Sequence, residues 1–223
     1  MSAAVVLSGR GRYADPWHPF EETSGRIARL LRNELELAVD VVPTVPDAVV
    51  AVCAGPRRPD LLVVDAGGGV HSDPPDDAWR AAHAALTALL ATGVPLLGVH
   101  GAANAFTDVP AYRTALGGHW VEDVSFHPER GPAHFTTASE HPILAGLTAV
   151  DVPDEERYSA LERDADVVPL LTHVHDGVTH VSAWAREDAR GRVVFDALGH
   201  HGPSYDAPAR CDLLVREARW LTA

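Results

Sequence analysis

The chain reads as an α/β domain with a mainly parallel central sheet and an antiparallel elaboration in its second half. Three observations predict this. Short, continuous apolar runs recur through the first half, amphipathic helical stripes separate them, and the pattern gives way to short strands and loops after Trp120. Strands apolar on both faces belong to a sheet covered by helices on both sides, which is the parallel arrangement.

In order along the chain, Ala3–Leu7 is the first strand and ends at Ser8-Gly9. Ile27, Leu30, Leu31 and Leu35 recur at helical spacing, and Ala38–Val42 follows as a second strand. Leu61–Val64 is the third, ending in Asp65-Ala66-Gly67-Gly68-Gly69. Pro74-Pro75-Asp76-Asp77 opens a helix whose apolar face carries Trp79, Ala82, His83, Leu86, Leu89 and Leu90. Val94–Val99 is the fourth strand and stops at His100-Gly101. From Ala81 to Thr107 there is no charged residue, but Gly93 and Pro95 break that run, so it is a buried helix, turn and strand and not a membrane span. Asp176-Gly177 is a hairpin turn between Leu170–His175 and Val178–Ala183. Val193–Leu198 is another buried strand, ending at Gly199-His200-His201, and a helix from Pro208 to Leu221 closes the domain. With no repeat or linker, residues 1–223 form a single domain.

Acids outnumber bases 31 to 18, for a formal charge of −13, which disfavours nucleic acid and anionic membrane surfaces as partners. Every basic residue is arginine. Without lysine there is no Schiff-base nucleophile and no Walker A lysine. Cys53 and Cys211 have no metal-site spacing, and Cys211 lies on a stripe with Leu214, Val215 and Ala218, so it reads as buried filler. The first residues lack a charged segment followed by a long apolar one, and the expectation is a soluble cytoplasmic protein.

Ligands of open parallel sheets bind beyond the carboxyl ends of the strands. Those ends are Ser8-Gly9-Arg10, Asp65-Ala66-Gly67, His100-Gly101-Ala102 and Gly199-His200-His201, so histidines should meet at one sheet edge. Gly9-Arg10-Gly11-Arg12-Tyr13-Ala14 matches a relaxed dinucleotide fingerprint. Pro16 and Pro19 keep a helix from opening there, however, so no nucleotide cofactor is expected. The Gly98-Val99-His100-Gly101-Ala102 junction puts an imidazole where a strand-to-helix turn presents Ser or Cys in hydrolases and amidotransferases. Imidazole suits proton transfer near neutral pH or metal binding, and acyl-enzyme chemistry is disfavoured.

A series of short motifs extends this pattern over nearly the whole chain. It runs from Val5-Val6-Leu7-Ser8-Gly9 with His18 and Thr23, through Leu97–Ala102, to Phe106, Tyr112, Leu116-Gly117-Gly118 and Trp120. It continues with His127-Pro128, His141-Pro142-Ile143, Asp154-Glu155, Tyr158 and Trp184, and ends with Gly191–Phe195, Leu198-Gly199-His200 and Tyr205. In order and spacing these resemble the ThuA-like (trehalose utilisation) family. The chain departs from that family's pattern at His18-Pro19-Phe20, where Asp-Trp commonly follows the histidine, and at Glu156-Arg157, inserted before Tyr158.

The resemblance implies a flavodoxin-like, class I glutamine amidotransferase-like three-layer sandwich. It also implies a role in using trehalose or related disaccharides, beside a sugar dehydrogenase that oxidises a hydroxyl to a 3-keto group. On that footing the expected function is cleavage of an oxidised disaccharide or glycoside by His/Glu acid–base or metal-assisted chemistry. His100 or His18 is the expected base, Glu155 the acid or a ligand, and His200 and His127 are ligands or enolate donors. Asn104, Tyr158, Trp184, Tyr205 and Thr23 are expected to hold the sugar, and a divalent metal, zinc or manganese, is the candidate cofactor. The alternative is a non-catalytic carbohydrate-binding or regulatory protein on the amidotransferase-like fold without its Cys nucleophile. A homo-oligomer built through the surface helices is compatible with either.

Each of these residues also has a structural role available to it. A strand-end His100 or His200 can cap a carbonyl, His127-Pro128 and His141-Pro142 can mark turns, and His83 suits an apolar helical face. His173 and His175 suit one face of a strand, Glu155 lies in an acidic run typical of a solvated loop, and Trp184 and Tyr205 suit core and rim.

Overall fold

A computed structural model describes residues 3–68 and 73–223. Met1, Ser2 and residues 69–72 lie outside it, including Gly69 of the glycine run and His71.

The first half alternates strand and helix: β1 (Ala3–Ser8), α1 (Phe20–Leu35), β2 (Ala38–Pro43), α2 (Pro46–Cys53), β3 (Leu61–Asp65), α3 (Asp77–Leu90) and β4 (Leu96–Val99). The short helix α4 (Pro110–Leu116) and strand β5 (Gly118–His119) lead into the second half. There β6 (Gly131–Thr137), β7 (Ala149–Glu155), β8 (Glu162–Arg163), β9 (Val168–His175), β10 (Val178–Asp188) and β11 (Gly191–Asp196) precede the last helix, α5 (Pro208–Thr222).

The main sheet has the order β2-β1-β3-β4-β11-β10-β9-β6-β7. Its first five strands are mutually parallel and the rest antiparallel, with β5 and β8 paired apart. The parallel half has the flavodoxin-type order, in which the chain reverses direction across the sheet beside β1. Asp176 and Gly177 both take positive φ, 48° and 76°, which gives the β9–β10 hairpin its expected two-residue turn.

Two apolar layers sandwich the sheet. Ile27, Ala28 and Leu31 of α1 and Leu213, Leu214 and Leu221 of α5 pack on one face; Leu86 and Leu89 of α3 and Tyr112 and Leu116 of α4 pack on the other. β7 packs against α5 and the Gly202–Asp206 turn, which returns its carboxyl end to the centre of the molecule. The uncharged run from Ala81 to Thr107 is the body of α3, a turn, β4 and the 3₁₀ turn His100–Asn104. No helix among the described residues is long and apolar enough to cross a membrane.

Candidate functional site

Four side chains from four separate segments converge beyond the carboxyl ends of β1, β4, β7 and β11. They are His18, His100, Glu156 and His200, and their nearest donor atoms all lie within 4.8 Å of one another. His100 follows β4 directly, with φ of +45°, a left-handed backbone that turns the imidazole out of the strand line. Gly199, at φ +111°, makes the equivalent bend after β11. A side chain there would strike the Tyr205 hydroxyl, so glycine is what lets His200 reach the cluster.

His18 sits on the loop before α1. Asp15 accepts hydrogen bonds from the Trp17 and His18 backbone N–H groups at 2.9 and 3.0 Å, and from His18 Nδ1 at 2.8 Å. The Phe20 ring stacks on His18 with centroids 5.4 Å apart. The strand-end glycines Gly9, Gly67 and Gly101 make room for that ring, since a Cβ on any of them would press on Phe20. They serve packing beneath the site.

The spacing of the donors is informative. His100 Nε2 lies 3.1 Å from His18 Nε2 and 3.2 Å from His200 Nδ1. Glu156 Oε2 lies 3.2 Å from His200 Nδ1, 3.5 Å from His100 Nε2 and 3.9 Å from His18 Nε2. Four donors bound ~2.0–2.1 Å from a tetrahedral zinc ion stand roughly 3.3 Å apart. Tautomers point the same way. His100 Nδ1 donates to the Ala197 carbonyl at 2.7 Å and His18 Nδ1 donates to Asp15, so both Nε2 lone pairs face the cluster. Lone pairs and a carboxylate at this range repel unless a cation or shared proton lies between them. The donor set therefore fits a divalent ion.

Electrostatics agree with this arrangement. Desolvation pushes the fully buried His100 down to about 4, although the Glu156 carboxylate beside it opposes the shift, so the ring is neutral and its Nε2 lone pair can bind an ion. Desolvation alone would raise the Glu156 carboxyl, but the His100 and His200 rings against it outweigh that and hold the group far below the usual carboxylate range. Burial, reinforced by Glu156, raises Tyr158 well above an ordinary phenol, so its hydroxyl keeps its proton.

His18, Glu156 and His200 of the cluster line a cavity of about 580 Å³ whose walls also include Asn104, His127 and Tyr158. Tyr158 lies against His100 with centroids 4.2 Å apart, and its hydroxyl is 3.4 Å from His18 Nε2. His127 Nδ1 is 3.8 Å from Glu156 Oε1. His18, His100, His200, Asn104, His127 and Tyr158 are thus brought together.

Four expected residues stand elsewhere. Glu155 faces away from the cavity, buried, with its carboxylate accepting from the N–H groups of Gly199 and His200 and from the Ser204 hydroxyl. Successive strand residues point to opposite sides, so the neighbouring Glu156 supplies the carboxylate. Thr23 is buried beneath the site and donates to Asp65 at 2.7 Å. Trp184 is fully buried and donates from Nε1 to the Leu116 carbonyl, as a core residue. Tyr205 is buried with its ring under the Arg210 guanidinium. Sequence reasoning missed Glu156, Asp15, Trp17 and Trp120 as site residues. Of these, Asp15 had a usable signal in Asp15-Pro16-Trp17-His18, where an Asp three residues before a histidine can cap the loop and orient the ring.

In fold, the chain is similar to ThuA-like proteins from Parabacteroides merdae and Bacteroides uniformis. The first aligns with a TM-score of 0.76 at 16% identity over 100% of this chain and 90% of that one. The second aligns at 0.75 and 17% over 99% and 91%. A glutamine amidotransferase from Thermotoga maritima aligns at 0.53 and 11%, over 88% of this chain and 75% of that one, which shows the amidotransferase-like fold. No curated protein matches the sequence. The family model described as trehalose utilisation matches residues 64–221, a stretch that contains three of the four cluster residues, His100, Glu156 and His200. The chain belongs to the ThuA family.

Proposed function

We propose that this protein is an enzyme of sugar metabolism that cleaves an oxidised, 3-keto disaccharide or glycoside. The observation that carries the reading is the convergence of His18, His100, His200 and Glu156 at ligand spacing, three of them on the wall of an aromatic-lined cavity and His100 buried behind it. Family membership supports the sugar. The four cluster residues would hold a divalent metal, zinc or manganese, which when bound supplies Lewis acidity toward a ketone oxygen.

A ketone acidifies the neighbouring C–H bond. His127, at the cavity wall beside Glu156, is placed to take that proton. The C–H electron pair becomes the enolate double bond, and the enolate then expels the glycosidic oxygen. The same imidazole hands its proton to the departing oxygen, so no net proton is consumed. Tyr158, held protonated, donates a hydrogen bond to the developing oxyanion, and Asn104 holds a sugar hydroxyl.

Incubation with 3-keto-trehalose, followed by NMR, tests this. Untagged wild-type protein loaded with zinc or manganese should release free glucose, and His100→Ala should lose turnover by orders of magnitude. Binding of the sugar with no bond cleavage under any metal would instead mark a carbohydrate-binding protein and overturn the catalytic reading.

A further inference from the structure

The proposed chemistry needs one sugar ring at the cluster, yet the cavity extends past it. Trp17 lines that cavity and is 74% exposed, the most exposed of the large apolar side chains described. An indole on a cavity wall offers a flat, apolar face to a ligand. The loop that carries it is pinned: the Trp17 backbone N–H donates to Asp15, the same carboxylate that orients His18. Trp120 lines the same cavity and packs edge-on against Tyr158, with centroids 4.9 Å apart. An aromatic wall therefore runs from the cluster through Tyr158 to Trp120, with Trp17 beside His18.

Charge narrows what can lie there. The chain has no lysine, and Arg130 is the one arginine among the described cavity residues. Arg130 pairs with Asp154 at 3.3 Å, while Asp154 also engages His201 at 3.1 Å. The remaining formal charges on the wall, Asp15 and Glu156, are negative and balance a divalent ion. No free cation among the described lining residues awaits a phosphate or carboxylate.

We propose that Trp17, with Trp120, forms a subsite for the second ring of an uncharged disaccharide, so that the enzyme selects unphosphorylated disaccharides over monosaccharides and sugar phosphates. A pyranose carries an apolar, electropositive C–H face, which stacks on the negative face of an indole while its hydroxyls stay hydrated at the rim. This subsite rests on the reading of the cavity as a sugar site. It makes Trp17 a specificity residue, remote from the bonds that change.

Calorimetric titration with trehalose, methyl α-glucoside and trehalose 6-phosphate tests it, using wild type, Trp17→Ala and Trp17→Phe. Wild type should bind trehalose about tenfold or more tighter than methyl α-glucoside. Trp17→Ala should bring that ratio down to about twofold or less without weakening the glucoside, and Trp17→Phe should restore most of it. Trehalose 6-phosphate should bind no tighter than trehalose. An unchanged ratio in Trp17→Ala, equal wild-type affinity for trehalose and the glucoside, or tighter binding of the phosphate overturns the subsite while leaving the sugar site standing. Failure of wild type to bind any of the three also overturns the subsite, while release of glucose from 3-keto-trehalose decides the sugar reading separately.

Discussion

Glu155 and Glu156 grip the same residue from opposite sides. Glu155 accepts the backbone N–H of His200 at 3.1 Å, while Glu156 Oε2 lies 3.2 Å from the His200 ring nitrogen. One carboxylate builds the loop and the other faces the cavity, so the two substitutions should separate. Glu155→Gln places an amide among four hydrogen-bond donors and should cost roughly 1–3 kcal/mol of stability by urea denaturation. Glu156→Gln should leave stability near wild type but strip bound metal, measured by elemental analysis of untagged protein, and abolish turnover. Equal metal retention in both variants would show that Glu156 is no ligand.

Asp15 acts through His18. Removing its carboxylate frees the His18 ring to rotate and lets the other tautomer form, and it releases the two backbone N–H groups of the loop. Outer partners of this kind are worth about 10–100-fold in metal affinity. Asp15→Ala should weaken metal binding within that range, in competition with a chromophoric chelator, with the far-UV circular dichroism unchanged. Asp15→Asn, which keeps an acceptor for Nδ1–H, should recover part of the loss. Wild-type affinity in Asp15→Ala would rule out the role.

Most of the parallel half was legible from periodicity, because its strands are buried on both faces and therefore read as continuous apolar runs. His100 and His200 were legible from the same logic, as the residues immediately beyond two such strands. The site's carboxylate was not. Whether Glu155 or Glu156 faces the cavity depends on where β7 ends and on how that edge strand folds back toward α5, and a one-residue shift reverses the face. Trp184 and Tyr205 misled for a related reason: an aromatic within a strand, as Trp184 is in β10, or in a turn beyond one, as Tyr205 is, looks the same in sequence whether it lines a cavity or fills the core beneath one. Local spacing contains nothing to separate the two.

Below the site, Arg210 and Asp196 form a fully buried ion pair at 3.0 Å, beside buried Glu217. Desolvation and repulsion from Asp196 raise Glu217 well above an ordinary carboxyl, so it holds its proton. Arg210→Met should therefore cost roughly 3–5 kcal/mol, by leaving Asp196 without its counter-charge. Glu217→Gln should change stability by less than about 1 kcal/mol, since an amide replaces a neutral acid of the same shape. Chemical denaturation at pH 7 checks both, and a large loss in Glu217→Gln would mean that the carboxyl is ionised.

His173 gives the fold a defined acid sensitivity. It is buried between the hydroxyls of Ser159 and Ser182, at 3.1 and 2.8 Å. Desolvation, then repulsion from His180, Arg157 and His175, lowers it to about 4. A histidine depressed in the folded state favours folding above its unfolded value near 6.5, and that contribution is lost as pH falls from about 6.5 toward 4. The loss should amount to roughly 1–3 kcal/mol. His173→Asn, which cannot charge, should be less stable than wild type at pH 7 through weaker hydrogen bonding, yet lose less on acidification. Urea midpoints of the two proteins from pH 7.5 to 4 should therefore converge, and parallel curves would show that His173 does not titrate in this range.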